Sequence, residues 1–77
     1  MDYVLYQRIT CPYCRKVLRY MEQTGIQLPM RDTTDPEVLA ELVALGGKAQ
    51  VPCLMINGKA LYESDDIIAY LQEHLAD

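Results

Sequence analysis

Apolar and polar positions alternate between two periods along this chain. Tyr3-Val4-Leu5-Tyr6 is a continuous apolar run without alternation, which predicts a strand covered on both faces. From Pro12 the period becomes helical: Cys14, Val17, Leu18 and Met21 form one stripe, with Arg15, Lys16, Arg19 and Glu22 largely outside it. Gly25 is placed to end that helix. Gln27 to Arg31 predicts a short second strand, and Pro29, which cannot donate a ladder hydrogen bond, assigns it to a sheet edge. A strand, a helix and a strand at this spacing predict a right-handed unit with parallel strands.

Thr34-Asp35-Pro36-Glu37 announces a second helix. Thr34 with Glu37 has capping-box spacing, and Asp35 before Pro36 is an alternative cap. Leu39, Leu42 and Val43 are its expected buried face, and Gly46-Gly47 its end. Cys53 to Ile56 is a second continuous apolar run. Asn57-Gly58 is a two-residue hairpin signal, with Lys59 to Tyr62 as the return strand. Ser64 is then expected to cap a last helix, with Asp65 and Asp66 in its first turn and Ile67, Ile68, Leu71 and Leu75 on its apolar face. The expected order is βαβαββα: an α/β chain with a four-stranded mixed sheet, two apolar central strands and three helices.

Composition narrows the reading. Seventy-seven residues predict a single domain over 1–77, and a hydrophobic fraction of 51% predicts a packed globule. A net charge of −4 with no basic run argues against nucleic acid and anionic membrane as partners. The absence of a basic-then-apolar start leads to the expectation of a cytoplasmic protein. Three cysteines do not make a disulfide framework, so the thiols are expected to be catalytic, metal-binding or buried.

The informative stretch is Cys11-Pro12-Tyr13-Cys14. A strand that delivers Cys-x-x-Cys to the first turn of a helix is the outline of a thiol–disulfide exchange site. Unpaired N–H groups and the positive end of the helix dipole favour an anion there, so a thiolate gains population near neutral pH. Pro12 suits the first helical position. Cys11 is the expected nucleophile. Cys14, one turn on, is placed to attack whatever Cys11 has bonded to. The alternative is half of a zinc site. A closed site needs four ligands, and the remaining Cys53 and His74 do not repeat the paired spacing, so no metal is expected.

Cys11-Pro12-Tyr13-Cys14, with Val51-Pro52 and Ser64-Asp65-Asp66 in this order, resembles a dithiol glutaredoxin over nearly the whole chain. Glu63-Ser64 followed by an Ile and Tyr-Leu pattern looks in addition like the glutathione-binding domain of glutathione transferases. The resemblance implies the thioredoxin fold, a redox-active Cys11–Cys14 disulfide and glutathione as reducing co-substrate. It also implies a monomer acting on disulfide-containing or glutathionylated proteins. It carries over a glutathione site made by Arg8, Pro12, Tyr13, Val51, Pro52, Ser64 and Asp65, with a cis bond at Val51-Pro52. Gln50, where many glutaredoxins have threonine, and Tyr62-Glu63, where they more often have Gly-Gly, are departures. Two further readings belong to the same fold: an electron donor reduced by thioredoxin reductase, and a protein holding an iron–sulfur cluster through Cys11 and glutathione. Pro12 stiffens the turn that a cluster would need.

The remaining candidates have plainer expectations. Lys16 and Lys48 read as solvated cations, although Lys48 is near enough in sequence to meet a ligand carboxylate. Cys53 reads as a small buried hydrophobe. His74 complements a helix end, and Tyr3, Tyr6, Tyr20, Tyr62 and Tyr70 read as packing residues.

Overall fold

The computed structural model describes residues 2–75. Its elements run β1 (Tyr3–Gln7), α1 (Pro12–Thr24), β2 (Met30–Asp32), α2 (Pro36–Gly46), β3 (Cys53–Ile56), β4 (Lys59–Leu61) and α3 (Ser64–His74). The sheet order is β2-β1-β3-β4, with β1 parallel to β2 and antiparallel to β3, and β3 antiparallel to β4. The two continuous apolar runs are the central strands, as their lack of alternation requires. This is the mixed four-stranded sheet with three helices of the thioredoxin-like fold.

Alternation along the central strands sorts the core into two layers. Leu5 and Leu54 point to the α1/α3 side and pack with Val17, Met21, Ile67 and Leu71. Tyr6, Cys53 and Met55 point to the other side, against Val38 and Leu42 of α2. Tyr6 donates to Glu41 at 2.6 Å, and Arg31 pairs with the same carboxylate at 3.4 Å, so α2 is tied to β1 and β2 by a polar bracket.

Several details differ from the sequence expectation, and β4 ends at Leu61 rather than Tyr62. The second strand begins at Met30 rather than Gln27, because Pro29 has no N–H to give. Its carbonyl still accepts from Leu5 N at 2.9 Å, just before the ladder begins. On α2 it is Val38, with Leu42, that is buried, packed on Tyr6, Cys53 and Met55 of the sheet, while Val43 lies 41% exposed; Asp35 caps the helix, its carboxylate accepting from Glu37 N at 2.9 Å. Glu63 is the N-cap residue of α3 and Ser64 its first helical residue, with no side-chain cap. Asn57 and Gly58 have φ of 50° and 85°, the left-handed pair that a tight hairpin between antiparallel strands demands.

Candidate active site

Cys11 holds the N-cap position of α1. Its backbone is extended (φ −86°, ψ 122°), its carbonyl accepts the first helical bond from Arg15 N at 3.0 Å, and no side-chain oxygen caps the helix. The first turn carries no carboxylate. The field of the open helix end therefore falls on the sulfur. Cys14 is one turn on and fully buried, while Cys11 is partly exposed.

The two thiols are driven apart. Burial raises the Cys11 pKa, but the N–H of Cys14, the Cys14 thiol, the N–H of Tyr13 and the Arg8 charge act the other way, and the net shift is downward. Burial pushes Cys14 up to about 12, helped by the Cys11 thiol and its charge and opposed by the Arg8 N–H. That N–H lies 3.4 Å from Cys14 Sγ. A two-thiol exchange site needs one sulfur that ionises readily and one that keeps its proton, and this split suits that chemistry.

Beside Cys11 the Val51-Pro52 bond is cis. Cys11 Sγ donates to Val51 O at 3.8 Å, and Val51 N has no backbone partner among the described residues. The strand-like N–H of Val51 is thus left open next to Cys11, and its carbonyl takes only that long bond from the sulfur. A cleft of about 610 Å³ extends from there, lined by Tyr13, Gln50, Val51, Tyr62 and the start of α3 from Glu63 to Asp66. The first helical bond of α3 runs from Ile67 N to Glu63 O at 2.8 Å, so the N–H groups of Ser64, Asp65 and Asp66 are left over at the cleft. With no side-chain cap, this helix end retains its capacity for an anion.

Of the sequence-predicted contacts, Tyr13, Val51, Ser64 and Asp65 meet in this cleft. Pro52 is buried behind it, and Pro12 is exposed at the helix start. Arg8 is not part of the cleft wall. Its Nη2 donates to Thr33 O at 3.4 Å, its Nε is buried without a partner, and its charge acts on both sulfurs. Lys16 is not free: it pairs with Asp65 across α1 and α3.

Tyr62 is more than a packing residue. Its ring lines the cleft, its hydroxyl lies 3.1 Å from Lys48 N and 3.3 Å from Lys48 O, and the Lys48 ammonium sits 5.4 Å above the ring. A Cβ at Gly46 would overlap that hydroxyl, so Gly46 is required by the cleft wall, whereas Gly47, at φ 89°, is the residue that ends α2. Cys53 is buried in the α2-side core, which pushes its thiol up to about 11. His74 stacks on Tyr70 with ring centroids 4.2 Å apart, far from the sulfur in the fold.

Comparison with known proteins agrees with the fold. Residues 5–77 match the family model "Glutathione S-transferase, N-terminal domain", so the likeness to transferases extends well beyond the last helix. Glutaredoxin-C4 of Arabidopsis thaliana is 33% identical over 78 residues, an alignment that takes in 95% of this chain and 58% of that protein. A Bombyx mori structure, "Glutathione S-transferase unclassified 2", superposes with a TM-score of 0.84 at 24% identity, over 100% of this chain and 37% of that one. The buckwheat glutaredoxin–glutathione complex superposes with a TM-score of 0.71 at 21% identity, over 94% of this chain and 69% of that one. The chain thus spans little more than half the length of the plant relative and about a third of the insect transferase. On the match over residues 5–77 and the sheet order of its fold, the chain belongs to the glutathione S-transferase N-terminal domain family, whose thioredoxin-like architecture it shares with glutaredoxins.

Proposed function

We propose that this domain is a glutathione-dependent thiol–disulfide oxidoreductase that reduces glutathionylated mixed disulfides and protein disulfides through Cys11. The observation that carries the reading is the split between the two cysteines: a lowered pKa on the accessible sulfur and a raised one on its buried neighbour. The glutaredoxin relative and the glutathione complex of the buckwheat glutaredoxin support the ligand class.

The Cys11 thiolate attacks the glutathione sulfur of a mixed disulfide. The Cys11–glutathione disulfide forms as the old S–S bond breaks, and the substrate leaves as a thiolate that takes a proton. A second glutathione thiolate attacks the glutathione sulfur on Cys11. Glutathione disulfide leaves, and the Cys11 thiolate is regenerated. With a protein disulfide, the Cys11 thiolate attacks one sulfur and releases the other as a thiolate that takes a proton; Cys14 then loses its proton, attacks Cys11 Sγ and expels the second substrate thiolate, and two glutathiones reduce the Cys11–Cys14 disulfide to form glutathione disulfide.

Bound glutathione uses the groups left open. Its cysteinyl backbone pairs with Val51, its γ-glutamyl carboxylate meets the N–H groups at the start of α3, and its ammonium meets Asp65, replacing Lys16 there. Tyr13 and Tyr62 flank it. Arg8 acts on the charge of the sulfurs, not as a wall of the cleft.

Glutathione-coupled reduction of a small mixed disulfide tests the reading. Cys14→Ser should retain turnover and Cys11→Ser should fall to the uncatalysed rate. Activity in Cys11→Ser would overturn the choice of nucleophile. Turnover by thioredoxin reductase without glutathione, or visible absorbance after anaerobic iron–sulfur reconstitution, would favour the corresponding alternative.

A further inference from the structure

Four of the seven Lys and Arg residues fall between Tyr3 and Met21, and this stretch contains no Asp or Glu, although the chain as a whole is acidic. Their partners differ. Lys16 is taken by Asp65 and Arg8 by Thr33 O, while the guanidinium groups of Arg15 and Arg19 have no partner among the described residues. Both are exposed.

Their placement is specific. Cys11, Arg15 and Arg19 follow one another at intervals of four, so they share one face of α1, with the reactive sulfur at its head. Two large apolar side chains flank Cys11 in the chain and are exposed, Ile9 at 61% and Tyr13 at 65%. An apolar pair with a charged, accessible border is the anatomy of a protein-binding patch. On the other side of the sulfur the cleft is bordered by Glu63, Asp65 and Asp66. A polypeptide rich in carboxylates is repelled from that side and attracted to the arginine side.

We infer that the surface formed by Ile9, Tyr13, Arg15 and Arg19 docks polypeptide substrates whose disulfide or glutathionylated cysteine is flanked by Asp and Glu, laid along α1 away from α3. The inference rests on the proposed oxidoreductase reading and names its substrate class. Attraction between exposed charges acts chiefly on encounter, so its signature is a salt-dependent kcat/KM.

The test uses two glutathionylated peptides, identical except that Asp or Lys flanks the cysteine, with a small glutathione mixed disulfide as control. At low ionic strength the Asp peptide should be preferred by about tenfold, and the preference should collapse as salt shortens the screening length. The doubly substituted Arg15→Gln, Arg19→Gln chain should turn over the small disulfide normally and lose the preference for the Asp peptide. Normal turnover of the small disulfide with no peptide preference in the unaltered chain, or a preference unchanged by the double substitution, overturns the docking surface. No turnover of the small disulfide overturns the oxidoreductase reading instead. In that case amide shifts decide for the surface: perturbation of Arg15 and Arg19 by the Asp peptide and not the Lys peptide upholds it, and equal or absent perturbation overturns it.

Discussion

Two helices begin at the same cleft and treat their positive ends in opposite ways. At α1 the N-cap is a sulfur, the first turn has no carboxylate, and the field of the helix end is left for Cys11. At α3 the N-cap is Glu63, the first turn holds Asp65 and Asp66, and that end is partly neutralised by fixed charge. One end raises the population of an anion that belongs to the protein. The other keeps free N–H groups for an incoming carboxylate while its acids prefer a ligand that also carries a cation. A zwitterionic γ-glutamyl group has both charges. On the proposed reading the same backbone physics serves reactivity at one end and selectivity at the other, and the sequence difference that separates them is a few acidic residues.

The comparison breaks most sharply at Arg8, whose charge favours the Cys11 thiolate. The pKa of Cys11 is lowered, so its thiolate persists at pH values where an ordinary thiol is protonated. Arg8→Gln removes part of that shift, and the pKa rises. We expect kcat/KM at pH 7 to fall and to recover as pH rises past the ordinary thiol range. A deficit equal at every pH would mean that Arg8 serves packing alone.

The α3 end is tested by Asp65→Asn. Asp65 is largely exposed, so the loss is a surface one: KM for glutathione should rise about fivefold with kcat little changed. An unchanged KM would assign Asp65 to Lys16 alone.

The smallest effect is expected at Gly46. Gly46→Ala forces Tyr62 from its place under Lys48. KM for glutathione should rise about threefold, with destabilisation on the order of 1 kcal/mol from the displaced ring. Tyr62→Phe, which keeps the ring but loses the hydroxyl bonds, should show less of the KM effect. Thermal unfolding and steady-state kinetics on both variants separate the two contributions.

The order of elements was legible because each signal is local. Continuous apolar runs marked β1 and β3, a stripe at helical spacing marked α1, and Asn57-Gly58 marked the hairpin. Cys11 and Cys14 were legible because a tetrapeptide at a strand-to-helix junction already holds the chemistry. What escaped depends on residues far apart in the chain. Lys16 and Asp65 are 49 positions apart, so no spacing pairs them. Gly46 reads as a helix stop because only the fold puts Tyr62 against it. The Val38 and Leu42 face of α2 depends on packing against Tyr6, Cys53 and Met55, strand residues distant in sequence, and Asp35 takes the cap over Thr34 in a choice between two adequate signals. At α3 the serine that looks like a cap is the first helical residue, and its failure to cap is what leaves N–H groups at the cleft.

The central claim is that the N-terminus of α1 and Arg8 lower the pKa of Cys11 while burial raises those of Cys14 and Cys53. The pH dependence of alkylation of the reduced chain, followed cysteine by cysteine by mass spectrometry, addresses it directly. The account predicts that Cys11 reacts first, with an inflection below the ordinary thiol value of 9.0, and that Cys14 and Cys53 stay largely unmodified until well above it. An inflection for Cys11 at or above 9.0, or faster labelling of Cys14, would contradict it.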